Sequence, residues 1–157
     1  MITPKDIQAA IVVRVEQQFP GEPVYEDLTP RDFARPSNLV ALDGLDLDQG
    51  PAASTLTILY TFRLTTFSQV DEVHNSHFPV LDFRAMMLMS LFGQGYLQVG
   101  DRAPKVRKCT ANTKPYDYAE VLVQIAQGYD RSEFESGQAY QIMEDLTLTT
   151  KTKEEHT

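Results

Sequence analysis

The chain has 157 residues, 42% of them apolar and 23% charged, which is enough apolar surface for one folded domain. Its formal net charge of −8 disfavours a role in coating nucleic acid and binding to anionic membranes. Cys109 is the one cysteine, so an intrachain disulfide and a cysteine-rich zinc site are excluded. We interpret it as a small packing residue in a protein assembled in a reducing cytoplasm.

The sequence shows neither a secretory signal nor an apolar segment long enough to span a membrane. The first residues lack the charged and apolar regions of a secretory signal. The longest apolar cluster, residues 85–92, is far shorter than the roughly 20 residues that span a bilayer. We therefore expect no export and no membrane partner.

The chain opens with the signals of an amphipathic helix. Thr3 is a good N-cap, Pro4 suits the first turn, and Asp6 places a carboxylate near the positive helix end. Apolar residues then recur every four positions, at Ile7, Ile11 and Val15. The pattern predicts a helix over residues 4–18, ended by the Phe19-Pro20-Gly21 run that follows.

Extended segments follow this helix. A short piece is predicted at 23–26 and a first substantial strand at 39–42. Residues 43–54 contain three aspartates with glycine and proline, which predicts an exposed hairpin connection. Residues 55–67 alternate cleanly between apolar and threonine-rich positions, which is the strongest strand signal in the chain.

The second half predicts one more helix and several strands. The spacing predicts a helix over 77–92, and its methionines, including Met86 and Met89, widen the apolar face beyond one stripe. Strands are predicted at 96–99, 104–112, 118–130 and 139–150. The fold class is therefore α+β, a mostly antiparallel sheet with two main helices packed against it. We expect a single domain over residues 1–150 and a flexible tail at 151–157.

Charge is distributed unevenly along the chain. The predicted 43–54 connection is acidic through Asp43, Asp46 and Asp48. A later segment is basic, through Arg102, Lys105, Arg107, Lys108 and Lys114. These residues are either solvated or form a contact between neighbouring copies, which would be head-to-tail and would close into a ring if the rotation allows. Together with Met86 and Met89, they are the candidate subunit or tube interface.

Catalytic chemistry has weak support. His74 and His77 lie near Asp82 and form a conceivable metal-binding group, but a solvated loop before a helix explains the same residues. The chain lacks a nucleophile elbow, a phosphate-binding glycine loop and a His-Glu-x-x-His motif. We expect no enzyme and no cofactor, and the alternative is a small metal-dependent enzyme or ligand-binding domain using the two histidines.

Spaced residues in the first 92 positions also form a family-like pattern. The pieces are Met1-Ile2-Thr3 opening a helix, Phe19-Pro20, Val24-Tyr25-Glu26, Phe33-x-Arg35-Pro36 and Tyr60-x-Phe62-x-Leu64. This pattern resembles the tail-terminator proteins of Gram-positive phages, defective prophages and contractile phage-tail-like bacteriocins. The second half of the chain matches them in length and strand-rich character.

The resemblance implies a structural role in a virion or phage-tail-like particle assembled in the bacterial cytoplasm. Such a protein forms a hexameric ring that caps the tail tube, stops its polymerisation and joins it to the connector or the last sheath layer. Its expected partners are further copies of itself, the tail tube protein, and sheath and connector proteins. DNA is expected only as passing cargo in the lumen, and another neck or tail-completion role remains the alternative.

Overall fold

A computed structural model describes residues 1–48, 54–69, 77–112 and 117–135. Within these ranges the elements in chain order are α1 (Pro4–Gln18), β1 (Val24–Glu26), β2 (Ser37–Asp48), β3 (Thr55–Phe67), α2 (His77–Ser90), β4 (Lys105–Asn112), β5 (Tyr118–Asp130) and α3 (Ser132–Glu135). The α+β class, with two substantial helices packed against a mostly antiparallel sheet, is confirmed.

The five strands form one sheet in the order β1-β2-β3-β5-β4. β1 is parallel to β2, and every other neighbouring pair is antiparallel. The two long central strands, β3 and β5, pair over their full lengths, from Thr55 with Asp130 to Phe67 with Tyr118. This central ladder fixes which side chains face the helices, because side chains on a strand alternate between the two faces.

The start of α1 follows the capping signals read from the sequence. The Thr3 hydroxyl accepts a hydrogen bond from the Asp6 amide, and the Asp6 carboxylate accepts one from the Thr3 amide. This reciprocal pair satisfies two amides that a helix start leaves without partners. The predicted boundaries of residues 4–18 are confirmed, and Ile7, Ile11 and Val15 are fully buried against the sheet.

The core lies between the helices and one face of the sheet. The central strands contribute Tyr60, Phe62, Leu64, Val121, Val123 and Ile125. The helices contribute Ile7, Ile11 and Val15 from α1 and Leu81, Ala85 and Leu88 from α2. The sheet face that meets the helices is called the core face below, and the opposite face is called the outer face. Burial of these apolar side chains is the main source of stability.

Several predicted boundaries need correction. Residues 43–48 are not a hairpin connection but the second half of β2, which pairs with β3 after a bulge between Leu42 and Gly44. Residues 96–99 form isolated bridges instead of a strand, and α2 ends at Ser90 instead of residue 92. The strands predicted at 23–26, 104–112 and 118–130 are confirmed within one residue. The strand at 139–150 and the tail at 151–157 lie outside the described residues.

A buried ion pair holds α2 to the sheet. The Arg84 guanidinium donates to both carboxylate oxygens of Glu22, at 3.0 and 2.5 Å. It also donates to the Thr66 hydroxyl on β3 and lies 4.4 Å from the centre of the Phe19 ring. Arg84 is only 8% exposed. Asn38 on β2 bonds both members of the pair, so one network links the end of α1, two strands and α2.

A second buried network ties the start of the chain to the end of β5. The Tyr129 hydroxyl donates to the Ile2 carbonyl at 2.7 Å and lies 2.5 Å from the Tyr60 hydroxyl. Since the Tyr129 proton is used at Ile2, the Tyr60 hydroxyl is the donor between the two tyrosines. Burial raises the pKa of both tyrosines above the usual value.

Candidate assembly surfaces

The three aspartates predicted as an interface lie on β2, not in a loop. Asp43 occupies the bulge and lies 3.4 Å from the Arg63 guanidinium on β3. Asp46 is exposed. Asp48, at the end of the strand, forms an ion pair of 2.8 Å with Arg107 of the same chain. The acidic cluster is therefore a rigid part of the sheet instead of a connection between strands.

The basic residues lie mainly on β4, the strand at the opposite edge of the sheet. Lys105, Arg107 and Lys108 belong to this strand, and all three are exposed. Arg102 lies in the loop before it, where its amide and carbonyl bond Val99. Lys114 lies outside the described residues. Because Arg107 already pairs with Asp48 within one chain, these two charges alone do not require a neighbouring copy.

The described residues cover the outer face of the sheet only in part. The loop over residues 27–36 covers one end, where Phe33 packs against Phe67 and Arg35 bonds Asp117 at 2.7 Å. Farther along, in the part of the chain that is described, a depression of about 220 Å³ is lined by Thr61, Lys108, Thr110, Leu122 and Gln124. The threonine-rich surface expected from the alternation of β3 is thus found on this face.

Helix α2 is apolar on two sides. Its inner side buries Leu81, Ala85 and Leu88. Its outer side carries large apolar side chains that are mainly exposed, with Phe83 at 61% and Met86 at 64%. Val80 continues this row three positions before Phe83, and Met89 is half-buried. We call Val80, Phe83 and Met86 the α2 apolar row.

Sequence reasoning identified Met86 but missed Val80 and Phe83. These residues follow one another at intervals of three, which brings them onto one side of a helix. The same spacing was readable from the sequence once the buried row beginning at Leu81 had been assigned. A helix that is apolar on both sides is typical of one covered by a second layer or a partner.

A shallow apolar groove runs beside α1. It has a volume of about 430 Å³ and is lined by Ile2, Asp6, Ala9, Ala10, Val13, Val99 and Gly100. The Asp6 carboxylate already accepts the Thr3 amide in the helix cap. Among the described residues, the lining of the groove is therefore mainly apolar.

Of the residues of the metal-binding alternative, the structure describes the side chain of Asp82 alone. His74 and the side chain of His77 lie outside the described residues, and Asp82 is exposed on α2. Across the ranges that are described, no three histidine, cysteine, aspartate or glutamate side chains are grouped to hold a metal ion. Burial raises the pKa of the Cys109 thiol, which keeps it protonated and fits its role as a packing residue.

Comparison with known proteins leaves the family open. No protein-family model matches the sequence, and no curated protein matches it. Among the helices that the structure describes, none has the length and apolar character needed to cross a membrane.

Proposed function

We propose that this chain is a structural assembly subunit, a tail terminator of a phage or phage-tail-like particle. In this role, copies of the chain form a ring, a hexamer as in the family that the sequence resembles. The ring caps the tail tube, ends its polymerisation and presents a surface to the connector or the last sheath layer. The net charge of −8 suits a lumen through which DNA slides, because like charges disfavour sticking.

The observation that carries the proposal is the α2 apolar row. Its three large side chains are each more than half exposed, although α2 is held rigidly by the Arg84 network on its other side. A row of this kind on a fixed helix is a ready contact for another protein. In a capping ring, we assign this contact to another protein of the particle, the tube protein being the first candidate.

The proposal predicts an effect on tube polymerisation. When the purified chain is added to polymerising tail tube protein, we expect short tubes of uniform length in negative-stain images. Phe83→Ser is expected to raise the concentration of chain required for this effect by about tenfold or more, since burying a phenylalanine contributes about 1.5–3 kcal/mol. The matched control is Gln17→Ser, on an exposed position of α1, which is expected to leave the required concentration unchanged.

The outcomes distinguish tube capping from another role in the neck or in tail completion. Tubes of unregulated length, together with a chain that remains monomeric beside tube protein, would contradict the proposal. Uncapped tubes with the chain found elsewhere in the neck of purified particles would point to another neck or completion protein. Equal capping by Phe83→Ser and the parent chain would remove the α2 apolar row from the contact.

A further inference from the structure

The outer edge of β2 is covered along only part of its length. β1 pairs with β2 at Asn38, Leu39 and Val40, and the Val40 carbonyl also accepts bonds from Gln8 and Asp27. Over residues 41–48, β2 makes backbone hydrogen bonds only with β3, as far as the described residues extend. Such an edge presents unpaired amide and carbonyl groups, which are a template for another strand.

The other end of the sheet has a similar edge. The first part of β4 is covered by the preceding loop, because the Val106 amide donates to the Gly95 carbonyl at 2.8 Å and Tyr96 forms a bridge with Lys105. Over residues 107–112, β4 pairs with β5 alone within the part of the chain that is described. Among the described residues, the sheet therefore ends in two partly open edges.

The strand directions make these two edges compatible. β2, β3, β5 and β4 are antiparallel in succession, so β2 and β4 run in opposite directions. When a second copy is placed beside the first by rotation about an axis along the strands, β4 of one copy meets β2 of the next in antiparallel orientation. Every interface of a head-to-tail ring then has the same antiparallel pairing.

The positions of the two open edges along the strand direction also fit a closed ring. Through the strand pairing, residues 108–112 of β4 lie level with residues 39–44 of β2, whereas the open part of β2 spans 41–48. The two open parts therefore overlap but are offset along the strand direction. Closing a sheet into a ring requires tilted strands and a stagger of this kind.

The side chains match on the core face. Leu45 and Leu47 lie opposite Tyr60 and Ile58 of β3, which places them on the core face, yet they are 56% and 58% exposed. On β4, the core-face residues Cys109 and Ala111 are half-buried and apolar. Pairing the two edges would bring these apolar positions of neighbouring copies together and cover the two leucines.

The side chains match on the outer face as well. Here β2 carries Gly44, Asp46 and Asp48, and β4 carries Lys108 and Thr110. An antiparallel pair of edges would place Asp46 of one copy and Lys108 of the next on the same face, whereas Asp48 already pairs with Arg107 within each chain. Opposite charges across strands stabilise the pairing and select against pairing of two identical edges.

We propose that residues 107–112 of one copy pair as an antiparallel strand with residues 41–48 of a second copy. This inference rests on the proposed ring, and it names the surfaces that join its subunits. The contact is heterologous, acidic edge to basic edge, and it extends the sheet from copy to copy.

Disulfide trapping tests the pairing directly. Leu45→Cys and Leu47→Cys each place a thiol on the core face of β2, the same face as the native Cys109 of β4. Within one chain two strands separate β2 from β4, which corresponds to about 14 Å at the usual strand spacing and is too far for a disulfide. Any disulfide to Cys109 must therefore join two copies.

The matched control is Asp46→Cys, which places the thiol between the two leucine positions but on the outer face. After mild oxidation at a concentration where native mass spectrometry detects an oligomer, we expect covalent dimers and longer chains from at least one of the two leucine variants. Their yield is expected to be about tenfold or more above that of Asp46→Cys, because the cysteine geometry is strict. Adding Cys109→Ser is expected to abolish the product.

The outcomes distinguish this inference from the proposed function. An oligomer of the parent mass without disulfides from either leucine variant would overturn the edge pairing and leave the ring intact. Equal yields from Asp46→Cys and the leucine variants would also overturn it, since pairing in register favours one face. Specific disulfides in a protein that fails to cap tubes would support the edge pairing and overturn the capping role. A strict monomer beside tube protein, without disulfides, would overturn both.

Discussion

Replacing Arg84 with alanine is expected to lower the free energy of unfolding by about 3–5 kcal/mol, because it leaves the mostly buried Glu22 carboxylate without its cation. The pair is short, at 2.5 Å, and the side chains are only 10% and 19% exposed. The substitution also removes the bond to Thr66 and the stacking on Phe19. Urea denaturation followed by circular dichroism measures the loss.

A matched control distinguishes the effect of losing a buried ion pair from the effect of losing an exposed one. Arg63→Ala removes an arginine that lies 3.4 Å from Asp43, with side chains 38% and 41% exposed. An exposed pair of this kind contributes about 0–1 kcal/mol. Arg84→Lys keeps the charge but loses the forked geometry, so its loss is expected to fall between the two. Equal losses for Arg84→Ala and Arg63→Ala would contradict the role assigned to the network.

Alkaline pH is expected to destabilise the protein steeply through Tyr60 and Tyr129. Burial raises the pKa of both, so the folded protein keeps their protons while the unfolded chain releases them above a pH of about 10. The contribution of these two protonated tyrosines to the free energy of unfolding is complete below that pH and is lost as the pH rises further. The free energy of unfolding is expected to fall by about 1.4 kcal/mol per pH unit for each tyrosine.

The Tyr129→Phe variant tests this assignment. It removes one of the two titrating hydroxyls. The decrease in the free energy of unfolding that the two tyrosines cause above pH 10 is therefore expected to be about half as steep. At neutral pH it also loses the bonds to Ile2 and Tyr60, at a cost of about 1–3 kcal/mol. Tyr96→Phe, at an exposed ring, serves as the control. Identical slopes for Tyr129→Phe and the parent, in denaturation measured from pH 9 to 11.5, would contradict the assignment.

The parts of the fold that follow from local chemistry were predictable. The Thr3 cap and the spacing of Ile7, Ile11 and Val15 specify α1, and the alternation over 55–67 specifies β3. Both signals lie in neighbouring residues, so no tertiary information is needed to interpret them. The two long strands and two main helices then leave few arrangements other than an antiparallel sheet with helices on one face.

The second half of β2 was not predictable from composition. Aspartate and glycine disfavour strands, and residues 43–48 contain three aspartates and one glycine. The segment is nevertheless extended because β3 offers a full ladder of partners, and the bulge at Asp43 absorbs the irregularity. At a partly open edge the polar side chains keep their hydration, so the usual cost of burying them is small.

The buried networks were also missed, for a different reason. Arg84 falls on the inner side of α2, between Leu81 and Leu88, where helical spacing predicts an apolar residue. Its partner Glu22 is 62 residues away in the sequence, and no local pattern links the two. The signal that was present is the arginine itself, since a charged residue on a buried helix face must have a partner.

The candidate surfaces were predicted in part. The aspartates and the basic residues were identified by charge, but their placement on two opposite edges of one sheet follows from the strand order. Leu45 and Leu47 were not singled out, because their exposure depends on how far α1 and α2 extend over the sheet. The α2 apolar row and the two edges consist of different residues, so substitutions test contact with a tube and contact between copies separately.

Labelling this chain on assembled tubes shows whether it ends a tail tube as a ring of copies, as we propose. The chain carries an affinity tag, is mixed with polymerising tube protein, and is detected with gold particles by electron microscopy. We expect a label at one end of each tube, on a ring of the tube's diameter. Gold along the whole length of the tubes, or tubes without gold at either end, would contradict it.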